Sequence, residues 1–186
     1  MTGRVIIVTG ASSGLGYETA RYLCEGGNFV ILGCRDEEKA TRAIEKIMQQ
    51  NPNALATYMH LDLSSLESVR KFVDEFHATG KKLHVIVNNA ELAMNFKDVK
   101  RQYTADGFEL TIGTNHLGHF LLTNLLLDDL RKAAENGDAR VVVVTSALHD
   151  TCCKRTRNLQ PLDTDNHSSS ERVRYFTERV RNVSSD

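Results

Sequence analysis

The stretch VIIVTGASSGLG, residues 5–16, decides the fold. Its first four residues are apolar with no polar alternation, as in a strand buried on both faces. Glycines follow at 10, 14 and 16, and the sequence predicts a helix from near Gly14. Gly10 lets the chain turn sharply, while Gly14 and Gly16 let backbone and helix come close to a pyrophosphate. The first turn of such a helix offers free N–H groups and a partial positive charge to phosphate. A glycine-rich turn alone marks only a strand-to-helix junction. The strand before it and the helix after it make nucleotide binding the reading, with Thr9, Gly10, Ser12, Ser13, Gly14, Leu15 and Gly16 as candidate contacts.

Working outward, the same unit repeats. NFVILG (28–33) is a second apolar run, entered through the helix stop Gly26-Gly27. From Asp36, the residues Ala40, Ala43, Ile44, Ile47 and Met48 fall at helical spacing. ALATYMHLD (54–62) predicts a strand, and Leu66, Val69, Phe72, Val73 and Phe76 share one helical face. LHVIVNN (83–89) is another buried strand, a long helix is expected over 108–135, and VVVVTS (141–146) closes the series. Five such strands separated by amphipathic helices predict an α/β, doubly wound parallel sheet of the Rossmann kind. Ligand then binds at the carboxyl ends of the strands. The dinucleotide-binding domain is expected to span residues 1–150. Residues 151–186 are expected to form an irregular loop and a polar last helix, with Val173, Phe176, Val180 and Val183 on one face and Ser168 with Glu171 as its capping box. No sixth strand is expected.

The totals narrow the function classes. The chain has 186 residues, 41% of them hydrophobic, enough for one domain with a core, and a formal charge of -1. That balance argues against a general nucleic-acid or membrane-surface binder. No apolar run approaches the ~18 residues of a membrane span, and MTGRVIIVTG lacks the layout of a signal peptide. Cys24, Cys34, Cys152 and Cys153 form no disulfide framework, so a reducing, cytoplasmic setting is the expectation. His149, Cys152, Cys153 and His167 lack zinc-ligand spacing, and no metal is expected.

Cofactor choice is read from GCRDEE (33–38). An NAD(H) site usually places a carboxylate at the end of the second strand for the ribose 2′-hydroxyl. Here Cys34 is followed by Arg35, whose guanidinium suits a 2′-phosphate, and Asp36 can serve as a helix cap. NADP(H) is therefore expected over NAD(H).

With these residues in view, the sequence resembles the short-chain dehydrogenase/reductase family. Its TGxxxGxG pattern is Thr9-Gly10, Gly14 and Gly16, and LDLSSLESV carries Asp62, which the resemblance places beside the adenine, with Leu63 as a further cofactor contact. Asn88-Asn89-Ala90 looks like the family's NNAG segment, giving Asn89 and Ala90 as cofactor contacts. The resemblance makes Asn115, in TNHLGHF, the asparagine that holds a relay water, and Ser146 the substrate-orienting serine. The stretch from Tyr103 to Leu130 is similar to the subgroup of protochlorophyllide reductases and retinol-dehydrogenase-like enzymes. The implied activity is hydride transfer between NADP(H) and a small-molecule carbonyl or alcohol, with a homodimer as a possible assembly.

The family also carries Tyr-x-x-x-Lys, a general acid with a basic helper, and none occurs in these 186 residues. Tyr175 with Arg179, on the expected last helix, is the one late candidate for the acid, and arginine replaces lysine poorly. Glu91 stands where NNAG has glycine and predicts weaker cofactor binding, with added strain if that position needs positive φ. The two departures together suggest an altered or truncated form after about residue 166. Three readings follow: an oxidoreductase weak or inactive as it stands, a silent NADP(H)-binding domain that pairs with a full-length relative, and a non-functional fragment.

Overall fold

The computed structural model describes residues 3–92, 100–135, 137, 139–146 and 173–179. Strands β1 (Val5–Thr9), β2 (Phe29–Cys34), β3 (Leu55–His60), β4 (Leu83–Asn88) and β5 (Arg140–Ser146) run parallel in the order β3-β2-β1-β4-β5. The chain moves outward from β1 to β3, then crosses back to start β4 on the other side of β1. Between the carboxyl ends of β1 and β4 the connections leave in opposite directions, which opens a crevice.

Alternate residues of each strand serve opposite faces. Ile6, Val8, Val30 and Leu32 pack with Ala20, Cys24, Ala43 and Ile47 of α1 (Gly14–Glu25) and α2 (Glu37–Gln50). Ile7, Ile31 and Ile86 pack with Val69, Phe72 and Phe76 of α3 (Leu66–Ala78) and with Leu122, Leu126 and Leu130 on the other side of the connection. Two dry faces explain why the strands show no polar alternation. The expected apolar stripes hold, except that Met48 is 45% exposed at the end of α2.

Local chemistry sets the helix starts. The Asp36 carboxylate accepts the Lys39 N–H at 3.0 Å and caps α2, with Glu37 and Glu38 favourably placed in its first turn. Ser65 caps α3 through the Ser68 N–H, and the Leu66 N–H donates to Asp106 at 2.8 Å. No helix among the described residues is long and apolar enough to cross a membrane.

Two expectations need correction. The helix expected over 108–135 is three helices and a wide turn: α4 (Leu110–Ile112), a π-helical turn (Gly113–Gly118), α5 (His119–Leu125) and α6 (Leu127–Glu135). Glycines bound the π turn, where a widened ring costs least, and Leu126 at φ -100°, ψ 6° breaks α5 from α6. The described part of the expected last helix is a strand instead: Val173–Arg179 is β6, antiparallel to β5, which makes a sixth strand, while Val180 and Val183 lie outside the described residues. Its content of valine, tyrosine, phenylalanine and threonine favours a pleated edge over a helix. The capping pair Ser168 and Glu171 lies outside the described residues, as do Cys152, Cys153, His149 and His167.

Phe72 is fully buried between α3 and the sheet. Phe72→Ala is expected to cost about 3–5 kcal/mol, read as a lower denaturant midpoint. A loss below about 1 kcal/mol would contradict this packing.

Candidate functional site

A cleft of about 480 Å³ lies at the carboxyl ends of the central strands. The turn after β1 and the start of α1 supply Gly10, Ser12, Ser13, Leu15 and Gly16, and the end of β2 with the start of α2 supplies Cys34, Arg35, Asp36 and Lys39. Asp62 and Leu63 follow β3, while Asn89 to Leu92 follow β4. The sequence-predicted cofactor residues thus converge on one cleft, apart from Thr9 and Gly14, which do not line it.

Thr9 lies beneath the cleft, fully buried at the end of β1. Its Oγ1 accepts the N–H groups of Asn89 and Ala90, each at 2.9 Å, and the Asn89 side-chain amide donates to the Thr9 carbonyl at 2.8 Å. These bonds draw the chain after β4 tightly against the glycine turn. A Cβ on Gly10 would stand 2.9 Å from the Ala90 Cα, and one on Gly16 would stand 2.5 Å from the Asn89 Nδ2. Gly10 also has φ +67°, so glycine is required there twice over.

The helix ends around the cleft differ. Ser13 at the start of α1 makes no side-chain capping bond, and no acidic residue stands in the first turn. The positive end of α1 is left for an external anion, whereas α2 and α3 are capped by Asp36 and Ser65. With the glycine cradle and the size of the cleft, these residues fit a dinucleotide phosphate.

At the end of β2, Asp36 is doubly committed. It caps α2 and pairs with the Lys39 Nζ at 3.0 Å, and hydrogen bonds from the Lys39 backbone and side chain hold its carboxyl below the usual range. Arg35 is exposed beside it and makes no ion pair among the described residues. Lys39 was not singled out in the sequence, although it lies four residues from Arg35. Cys34 is buried, and burial raises its thiol pKa, as suits a strand-end filler. The Asp62 Oδ1 accepts the Ser64 N–H at 2.9 Å and the Ser64 hydroxyl at 2.6 Å, which fixes its orientation at the cleft.

Glu91 lines the cleft and is exposed. No described residue other than glycine has positive φ, so the strain considered for this position is absent. Asn115 does not line the cleft. Its side chain accepts the Leu92 N–H at 2.8 Å and donates to the Leu92 carbonyl at 3.0 Å. Ser146 is the last residue of β5, described by its backbone alone. In β6, Tyr175 pairs with Val144 and Arg179 with Arg140, at the end of β5 away from Ser146. Four residues along a strand separate Cα atoms by about 13 Å, so the shared helical face expected for this pair does not exist.

His119 is 7% exposed, with Nε2 2.8 Å from the Thr9 Oγ1 and Nδ1 3.0 Å from the Asn115 carbonyl. Leu92, Thr114 and Val144 also line the cleft. No local motif marks these four, because their roles arise from the packing of distant segments.

The profile of the short chain dehydrogenase family matches residues 4–152. The chain belongs to that family. It is 46% identical over 148 residues to polyprenol dehydrogenase of Danio rerio, covering 79% of this chain and 44% of the relative. It is 51% identical over 146 residues to the chloroplastic protochlorophyllide reductase of Chlamydomonas reinhardtii, covering 78% and 36%. The chain therefore spans less than half the length of these relatives. Among solved structures, an alcohol dehydrogenase from the archaeon Thermococcus sibiricus, complexed with 5-hydroxy-NADP, superposes with a TM-score of 0.60 at 28% identity, over 70% of this chain and 55% of that one.

Two histidines make stability depend on pH. Burial chiefly lowers the pKa of His84, whose Nδ1 accepts the Val5 N–H at 3.1 Å, and likewise that of His119. The unfolded chain then takes up protons that the folded chain refuses, so stability is full above the unfolded value of about 6.5 and is lost as pH falls below it. Urea midpoints measured from about pH 7.5 to 5 should fall, and less steeply in His84→Gln. A flat or rising profile would contradict this.

Proposed function

We propose that this chain is an NADP(H)-binding member of its family and that, with no Tyr-x-x-x-Lys in its 186 residues, it binds the cofactor without turning over a carbonyl or alcohol. The observation that carries the cofactor choice is the end of β2. Arg35 faces the cleft without an ion pair among the described residues, while Asp36 is held by the α2 cap and Lys39. A 2′-phosphate there gains paired charge-assisted hydrogen bonds, whereas a bare 2′-hydroxyl meets no free carboxylate at Asp36. The 5-hydroxy-NADP held by the archaeal relative supports the same choice.

The roles of the chain's residues follow. The turn from Ser12 to Gly16 and the uncapped start of α1 hold the pyrophosphate through backbone N–H groups. Asp62, oriented by Ser64, and Leu63 border the adenine, while Asn89 and Ala90 form the wall toward the nicotinamide half. Bound there, NADP(H) would supply or accept a hydride in the family's carbonyl–alcohol chemistry. Asn115 and Ser146 belong to that chemistry by family. In β6 the Cα atoms of Tyr175 and Arg179 are separated by about 13 Å rather than by one helical turn, which supports a silent site. Glu91 adds a carboxylate to a cleft meant for phosphates and lowers affinity by repulsion.

Thermal unfolding with added nucleotide tests this reading. NADPH at ~100 times its dissociation constant should add about 2.7 kcal/mol to folded-state stability, with NADH far less effective at equal concentration. Arg35→Ala should weaken NADPH about tenfold or more and leave NADH unchanged. Glu91→Gly should tighten both. An equal response to both nucleotides would overturn the cofactor choice, and no response would overturn the site. Turnover on a carbonyl panel that vanishes in Tyr175→Phe would replace the silent reading with an active enzyme.

A further inference from the structure

His119 deepens the nucleotide-site reading and rests on it. The Thr9 Oγ1 accepts two N–H groups, from Asn89 and Ala90, so both of its lone pairs are taken. Its own proton has two acceptors in reach: the His119 Nε2 at 2.8 Å and the Val87 carbonyl at 3.4 Å. The shorter contact is the histidine. On the other side of the ring, Nδ1 lies 3.0 Å from the Asn115 carbonyl, which can only accept. A neutral imidazole has one donor and one acceptor, so both contacts are satisfied by a single tautomer, Nδ1–H. Burial is the largest influence on this ring and keeps it below the ordinary histidine range, against the opposing bond to Asn115.

The same imidazole links the Thr9 side chain to the backbone of Asn115, the two residues that pin the cleft wall. Thr9 holds the wall at Asn89 and Ala90, and Asn115 holds it at Leu92 through both of its amide atoms. Glu91 lies between these anchors. We propose that His119 is a positioning residue for the nucleotide site: it aims the Thr9 lone pairs at the Asn89 and Ala90 amides and links that anchor to the Asn115 anchor. It touches no ligand and acts through Thr9. Because the Val87 carbonyl is a fallback acceptor, loss of His119 leaves the Thr9 hydroxyl a partner while misdirecting it.

NADPH affinity of wild type, His119→Phe, His119→Gln, Thr9→Val and the double variant T9V/H119F tests this. His119→Phe should weaken binding about tenfold, and His119→Gln, whose Oε1 can occupy the Nε2 position, by less than about threefold. The double variant should be no weaker than Thr9→Val alone, since both changes remove one linkage. Wild-type affinity in His119→Phe, or fully additive losses in the double variant, would overturn the proposal. A binding-independent arm reads the imidazole nitrogens of the ligand-free chain by ¹⁵N–¹H NMR. Protonated Nδ1 with bare Nε2 is expected, and the opposite tautomer overturns the proposal whether or not NADPH binds. Failure of the wild type to bind NADPH would refute the nucleotide reading by itself and leave the NMR result to judge the linkage.

Discussion

The hydroxyl of Thr9 accepts two backbone amides from a segment eighty residues away, and the shape of the cleft depends on that contact. It closes the gap that the sheet order opens between β1 and β4. Together with the bond from the Asn89 side-chain amide to the Thr9 carbonyl, it fixes the distance of the chain leaving β4 from the glycine turn. The closeness it enforces adds to what keeps Gly10 and Gly16 bare: a Cβ on Gly10 would meet Ala90, and one on Gly16 would meet Asn89 as well as the Gly10 carbonyl. A sequence requirement for glycine is thus set in part by a hydrogen bond made elsewhere.

Around that contact the fold divides its labour. Both faces of the sheet are packed with aliphatic and aromatic side chains, and this burial supplies most of the stability. The starts of α2 and α3 are capped by side chains, Asp36 and Ser65. The start of α1 is not, and omitting a cap costs about 1 kcal/mol of local stability. That cost is offset in a molecule whose α1 receives an anion. The uncapped helix and the glycine cradle are therefore two parts of one arrangement.

Much of this was legible in the sequence. Runs such as VIIV and HVIV lack polar alternation because each is buried twice, so the five parallel strands could be read directly. The glycine spacing, Arg35 and Asp62 named the cleft before its walls could be seen. What escaped were features set by competition between local patterns and tertiary contacts. The residues Val173, Phe176, Val180 and Val183 fit a helical period, yet Val-Arg-Tyr-Phe-Thr is equally strand-like in propensity, and pairing with β5 decides the matter. The π turn at Asn115 left no signal beyond its two glycines. His119 carries no signal of its own in the sequence, because its partners, Thr9 and the Asn115 carbonyl, become neighbours only once β1 and the π turn meet.

The central claim is that the start of α1 and the Thr9-held wall together receive a dinucleotide phosphate. The most direct measurement is the backbone amide spectrum of the ¹⁵N-labelled chain as NADP⁺ is added. The account predicts large shifts at Ser12, Ser13, Gly14 and Leu15, together with Asn89 and Ala90, while amides of α3 and α6 stay still. Shifts confined to α3 and α6, or none at any of these positions with saturating NADP⁺, would contradict it.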